Sequence, residues 1–214
     1  MVIQIPKVPD GRAMPVPRQS IIPPKIVSIR SEKYLVRTIA ADDASDRWAG
    51  WMGDPEAMHM LNLPARTWTK ADVVGYIKTF DQRSVLLLGI FEKSSGAHLG
   101  ILTVDINQAT SQFLVNMLIG EPGYRRKGVT WEITVPFRDY FFETLGLEVA
   151  LASALVRNTP ITEYLLKTGW KLDQTLERNA KSNPDGGMLD LCLFSLSREA
   201  WRDWKKSQPR RHKA

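Results

Sequence analysis

One segment constrains this chain more than any other. Residues 120–132 read Gly, Glu, Pro, Gly, Tyr, Arg, Arg, Lys, Gly, Val, Thr, Trp, Glu, after a β-rich run at Gln112–Ile119 and ahead of a helical period. Strand, glycine-rich turn and helix in that order form an anion-binding arrangement. The first-turn N–H groups point outward and the helix dipole adds partial positive charge. Arg125, Arg126 and Lys127 add whole charges. A pyrophosphate fits such a cradle.

The surrounding pattern predicts a mixed α/β sheet. A first strand is expected at Tyr34 to Ile39, then a helix carrying Trp48, Trp51 and Met52 behind the cap-type residues Asp42, Asp43 and Ser45. Asp54 and Pro55 open a further helical turn, and Thr69 caps a helix with Val73, Val74, Ile77 and Phe80 at helical spacing. The period then changes: Val85 to Glu92, Leu99 to Asn107 and Gln112 to Ile119 read as an antiparallel meander. After Gly128 a helix is expected to Thr144, then strand Leu147 to Leu155, helix Thr159 to Thr168, and strands Lys171 to Leu176 and Met188 to Leu196 around a polar loop at 183–187. Trp201 and Trp204 fix a last helix. Pro136 falls inside the helix after Gly128, so a kink or break is expected near Glu132.

Residues 1–30 hold six of the thirteen prolines and no period, which predicts an extended N-terminal arm packed on the body or on a second copy of the chain. The domain is expected at 31–207 and a basic tail at 208–214. The net charge of +6 is concentrated at the two ends: five basic residues against Asp10 in 1–30, six against Asp203 in 202–214. The part between is net acidic, so the pattern reads as solvated tails and not as a nucleic-acid surface. The single cysteine, Cys192, cannot form an intrachain bridge, the first ten residues lack a signal-peptide core, and no apolar run approaches the ~20 residues that cross a bilayer. A cytoplasmic location without membrane contact is expected.

Two phosphate patterns compete at the turn. Gly123, Gly128 and Thr130 match a nucleotide P-loop except that Val129 takes the lysine position, and the preceding meander is foreign to the parallel units of that fold. Arg125, Gly128 and Thr130 also follow R-x-x-G-x-G/A, and downstream Asn158, Lys167, Gly169 and Trp170 follow N-x8-K-x-G-[FW]. In these two motifs and in element order from Tyr34 to Leu196 the chain resembles the GNAT family of N-acetyltransferases. It looks nearest the ribosomal-protein N-terminal acetyltransferase-like branch, which shares the Arg, x, Lys, Gly turn and a following Glu like Glu132. Thr130 departs from the family's Gly or Ala.

The resemblance implies a mostly antiparallel central sheet with helices on both faces and two splayed central strands. It implies acyl transfer from an acyl-coenzyme A, acetyl-coenzyme A by default, to a primary amine by direct attack and without a metal. Backbone amides from Arg125 through Arg126, Lys127, Gly128 and Val129 to Thr130 would hold the pyrophosphate. The strand end at Leu118 and Ile119 and the amide of Asn158 would hold the pantetheine, although Asn158 could equally cap the following helix. A backbone N–H near Leu118 would polarise the thioester carbonyl. The acceptor is an amine of a small molecule or a protein N-terminus. The family's tyrosine falls at Leu165, with Tyr164 one place earlier and ~100° away on a helix. Tyr164 is the candidate general acid, Asn116 a candidate orienting group and Asp105 a candidate base; packing, a sheet amide and a solvated carboxylate are the competing readings. His59 and Trp51 are candidates for the acceptor side, against simple packing. Cys192 and Trp48 read as core; His98 starts a strand and His212 lies in the tail. No His, Cys or carboxylate set has zinc-ligand spacing. A GNAT-like fold that binds coenzyme A or a partner without transferring anything is the alternative function.

Overall fold

Seven consecutive apolar or glycine positions, Val85 to Phe91, need cover on two sides, and the fold supplies it. In the computed structural model, which describes residues 25–181 and 186–208, β3 (Val85–Glu92) has Leu86, Leu88 and Ile90 in one apolar cluster and Leu87 and Phe91 in another. The two sets alternate because successive strand side chains point to opposite faces. One cluster packs under helix α4 (Val129–Asp139), the other under α1 (Asp46–Met52) and α3 (Lys70–Ile77).

Around β3 runs an eight-stranded sheet in the order β1-β2-β3-β4-β5-β6-β8-β7, and the meander expected from the sequence forms its centre. The other strands are β1 (Ser28–Arg30), β2 (Tyr34–Thr38), β4 (His98–Asn107), β5 (Gln112–Ile119), β6 (Val149–Leu155), β7 (Lys171–Lys181) and β8 (Met188–Ser197). Every pairing is antiparallel except β5 with β6. Helices α2 (Pro55–Leu61), α5 (Thr159–Lys167) and α6 (Arg198–Ser207) complete the order. The expected caps form: the side chains of Ser45, Asp54 and Thr69 accept from Trp48, from Glu56 and Ala57, and from Asp72. No helix among the described residues is long and apolar enough to cross a membrane.

Three expectations need adjustment. Residues 25–30 belong to the folded sheet: Lys25 N–H donates to Gln82, and Ser28–Arg30 pairs with Leu35–Arg37. The remaining arm (1–24), the loop residues Asn183, Pro184 and Asp185, and the tail from 209 with His212 lie outside the described residues. Pro136 does not break its helix at Glu132. Helix α4 continues to Asp139, held by Ile133 and Phe137 against the core, and the irregularity appears later as a π-turn at Tyr140–Thr144. Finally, part of the C-terminal charge is consumed inside the fold. Arg202 pairs with Glu143 at 2.7 Å and Lys205 with Asp139 at 2.5 Å.

Close approach explains Gly100. A Cβ there would lie 2.2 Å from the Leu118 carbonyl oxygen, a backbone atom that can move only by shifting β5. Gly100→Ala is expected to cost about 2–3 kcal/mol and to lower Tm by roughly 4–10 °C in a thermal melt. An unchanged Tm would show that β5 yields freely.

Candidate functional site

Strands β5 and β6 pair only at Gln112 with Val149, Phe113 with Ala150 and Leu114 with Leu151. Beyond that point they diverge, although β5 continues to Ile119 and β6 to Leu155. The ladder decides which groups face the gap. Ile106 N–H donates to the carbonyl of Ser84, just before β3, and the β3 register continues from it, so the odd-numbered residues of β4 face β5, where Ile101 opposes Leu118 and Thr103 opposes Asn116. The main-chain groups of Asn116 and Leu118 are therefore turned to β4, and those of Val115, Met117 and Ile119 are turned to the gap. The N–H of Leu118, expected to polarise a carbonyl, is thus turned to β4, and the nearest gap-facing N–H is that of Met117.

The gap opens into a cleft of about 410 Å³ and, at its base, a smaller, partly open cavity of about 110 Å³. Met117, Asn158 and Tyr164 line both. The cleft is walled by the glycine-rich turn: Arg125, Arg126, Gly128, Val129 and Thr130 line it with Leu118 and Ile119, while Lys127 does not. Gly128 precedes α4 at φ 80°, a conformation that glycine adopts without steric cost, and nothing lies within 4 Å of where its Cβ would be. The amides divide into two groups. Arg125 N–H is committed to Pro122 at 3.2 Å and Lys127 N–H to Tyr124 at 3.3 Å. Those of Val129, Thr130 and Trp131 have no acceptor among the described residues. Arg126 and Gly128 N–H likewise have no acceptor among the described residues, so of the six amides expected from the sequence only those of Arg125 and Lys127 are committed, and Trp131 adds one beyond them.

The charges divide as well. The Arg125 guanidinium is a fastener: Nε donates to the Ile119 carbonyl (3.1 Å), and Nη2 to the Gly120 carbonyl (2.9 Å) and to Asp54 (2.5 Å). These bonds anchor α2 to the end of β5. Arg126, at φ 59°, is exposed and pairs with Glu56 at 3.3 Å. Lys127 is exposed with no ion pair among the described residues.

Tyr164 enters the cleft despite its offset in the motif, while Leu165 is buried beneath it. Its hydroxyl lies 2.7 Å from Thr134 Oγ1 and 3.4 Å from Arg138 Nη2, and its ring meets Trp131 edge-on. The Asn158 side chain caps nothing; Nδ2 donates to the Met60 carbonyl (3.3 Å), drawing the end of α2 across the mouth. Asn116 lines the inner cavity and donates to Thr103 Oγ1 at 3.2 Å.

Three candidates lie elsewhere. Asp105 is exposed on β4 between Val85 and Leu114 and lines neither cavity, although Ile101 on the same face of the strand is buried. His59 is an exposed side chain whose carbonyl accepts from Arg157; its neighbours Met60 and Leu61 line the cleft. Trp51 is buried against Trp48 and His98 and fills the space that a Cβ on Gly120 would need. Sequence reading missed Trp131, 45% exposed on the cleft wall, and the pair Thr134 and Arg138. A polar stripe at i, i+4 beside the apolar Ile133, Phe137 stripe was the available signal. Among the described residues, no group of three or more His, Cys, Asp or Glu could hold a metal ion.

A family model for the acetyltransferase (GNAT) domain matches residues 33–171. No curated protein matches. Solved structures with the same fold include a GNAT-family acetyltransferase from Bacillus anthracis (TM-score 0.70, 15% identity, covering 81% of this chain and 99% of that one). A ribosomal-protein-S5-alanine acetyltransferase from Vibrio fischeri gives 0.67 at 19% identity, over 82% and 98%. Spermidine N-acetyltransferase from Vibrio cholerae, solved with CoA and spermine, gives 0.70 at 14% identity, over 79% and 99%.

Proposed function

Because the chain belongs to the GNAT acetyltransferase family, we propose that it moves an acyl group from a coenzyme A thioester, acetyl by default, to a primary amine. The observation that carries this reading is the divergence of β5 from β6 beside a helix whose first three N–H groups have no acceptor among the described residues. The residues present fit coenzyme A. Val129, Thr130 and Trp131 would take the pyrophosphate, with Lys127 and Arg126 supplying positive charge outside. The gap-facing groups of Val115 and Met117, and the N–H of Ile119, whose carbonyl is held by Arg125, would pair with the amide-bearing arm as an added strand would. Thr130 contributes bulk at the cradle, and its Oγ1 is turned to Met117 Sδ at 3.5 Å, so the hydroxyl is not held at the helix end.

The amine nitrogen attacks the thioester carbon, a C–N bond forms, the C–S bond breaks, and coenzyme A leaves as a thiol. An alkyl ammonium with pKa near ~10.4 is neutral in only about one molecule in a thousand at pH 7, so deprotonation has to be assisted or pre-paid by binding. A thiol of pKa ~8.5 leaves with little help. Tyr164, set by Thr134 and Arg138, is the proton donor to it. Tyr164→Phe is expected to lower kcat roughly 10- to 100-fold with the KM for acetyl-coenzyme A unchanged; an unchanged kcat would leave Tyr164 a packing residue.

Calorimetric titration with coenzyme A, followed by thiol release against a panel of a polyamine, an amino sugar, an aminoglycoside and an N-terminal peptide, tests the whole reading. Binding with turnover supports it. Binding without turnover favours a silent coenzyme A-binding protein, and no binding ends both.

A further inference from the structure

Arg138 is 4% exposed, yet no carboxylate among the described residues pairs with it. The adjacent Asp139 is taken by Trp201 Nε1 (3.1 Å) and Lys205. Three hydrogen bonds reach the guanidinium's neighbours: Nη1 to the Thr168 carbonyl (2.7 Å), Nη2 to Thr168 Oγ1 (2.7 Å) and Nη2 to Tyr164 Oη (3.4 Å). The rings of Trp170 and Trp201 stand 5.4 and 5.2 Å from its central carbon, and those of Tyr164 and Trp204 both 5.9 Å. Rings attract a cation but accept few hydrogen bonds. Nε–H and one Nη1–H make no hydrogen bond among the described residues, and Nε keeps access to the space beside it. Burial disfavours the charged form and pulls the pKa down. A buried cation left in this state calls for an anion.

The same side chain lines the partly open cavity of about 110 Å³ at the base of the gap. The cavity straddles the point where the strands part, with Phe113 and Val115 on one side and Ala150 and Ala152 on the other. It adjoins the cleft through Met117 and Tyr164. An apolar cavity of ~150 Å³ takes a benzene-sized guest, so this one suits a chain of about four carbons. Acetyl would leave most of it empty, and a plain alkyl chain of the right length would set methylenes beside unpaired N–H groups.

We infer that the donor is a coenzyme A thioester of a short dicarboxylic acid, its chain in this cavity and its distal carboxylate on Arg138. The inference rests on the coenzyme A reading above and specifies its donor. The chemistry is unchanged: the amine forms an amide with the thioester carbon, the thiol leaves with the amine's proton balance met by Tyr164 and solvent, and the distal carboxylate takes no part. Succinyl is the probe of matching length.

Titrations of the full chain with coenzyme A, acetyl-, butyryl- and succinyl-coenzyme A provide the test. Succinyl-coenzyme A is expected to bind at least about tenfold tighter than acetyl- or butyryl-coenzyme A. In Arg138→Gln that preference is lost, while free coenzyme A binds variant and parent alike. Butyryl equal to or tighter than succinyl in the parent protein, or a preference that survives in Arg138→Gln, overturns the inference and leaves Arg138 as a tie between α4 and the end of α5. Should Arg138→Gln not fold, the ranking in the parent decides, together with Ala152→Leu. That change narrows the cavity, and succinyl and butyryl should both weaken while acetyl does not; equal weakening of all three counts against the proposed seat. A chain that binds none of the four ligands fails at the coenzyme A reading itself, a result distinct from one that binds all four equally.

Discussion

Gly128→Glu is expected to weaken coenzyme A binding at least hundredfold while leaving a folded protein. Two effects combine. The residue sits at φ 80°, where an L side chain costs about 1–2 kcal/mol, a loss a domain of this size can absorb. Nothing within 4 Å obstructs the new side chain, so the core is untouched. The carboxylate, however, would stand beside the free N–H groups of Val129, Thr130 and Trp131 and occupy them as a cap. It would also face the phosphates at close range, where one pair of like charges 4 Å apart costs about 4 kcal/mol at an effective dielectric of 20. A hundredfold loss corresponds to only about 2.7 kcal/mol. Gly128→Asn tolerates the left-handed conformation and adds no charge, so it should bind within a few fold of the parent. Calorimetry on both variants separates conformation from charge, and an unchanged Kd in Gly128→Glu would move the phosphate site away from this turn.

The second large effect concerns pH. His98 stacks on Phe91 at 4.6 Å, with Trp48 and Trp51 edge-on at 5.2 and 5.0 Å. Nε2 lies 3.0 Å from the Gly100 carbonyl, so it carries the proton, and Nδ1 is buried without a partner among the described residues. Burial in this cage lowers the pKa from 6.5 to about 4; the Gly100 bond and Asp43 oppose the shift, and Arg37 adds to it. The unfolded chain therefore takes up a proton at a pH where the folded chain does not. Stability is full above pH 6.5, falls by about 1.4 kcal/mol per unit as pH drops below it, and has lost roughly 3 kcal/mol by pH 4. Asp43, Asp54, Asp72 and Asp81 all have pKa values below the usual carboxylate value, so their contributions are lost only at lower pH. Urea unfolding at pH 7 and 4.5 should show the difference, and His98→Phe should flatten it. An equally steep loss in His98→Phe would assign the window to another group.

How much of this was legible in the sequence depends on the range of the interaction involved. Local rules placed the caps at Ser45, Asp54 and Thr69, the meander, and the strand-turn-helix around Gly128. Alternation and period carry that information within a dozen residues. What failed needed three dimensions. Nothing local says that Arg125 is spent on Asp54, 71 residues away, or that the ladder turns Leu118 towards β4. Asp105 and His59 were chosen by residue type, and their exposure depends on which strand or helix packs over them. Tyr164 shows the converse case: a one-residue offset in a motif did not remove it from the cleft. The π-turn at Tyr140–Thr144 follows a proline visible in the sequence, and it carries Phe141 and Phe142 into the core beside Phe137, a contact that the local pattern does not specify.

The three-residue parallel contact between β5 and β6 makes the sheet two panels sharing a short seam. Strands β1 to β5 form one and β6, β8 and β7 the other, with α4 and α5 bridging the opening. A guest lying along Val115, Met117 and Ile119 would lengthen that seam and knit the panels together, so occupancy and rigidity rise together. Amide exchange along the inner edges of both panels would then slow in proportion to saturation, giving the empty protein a built-in hinge and the loaded one a continuous plate.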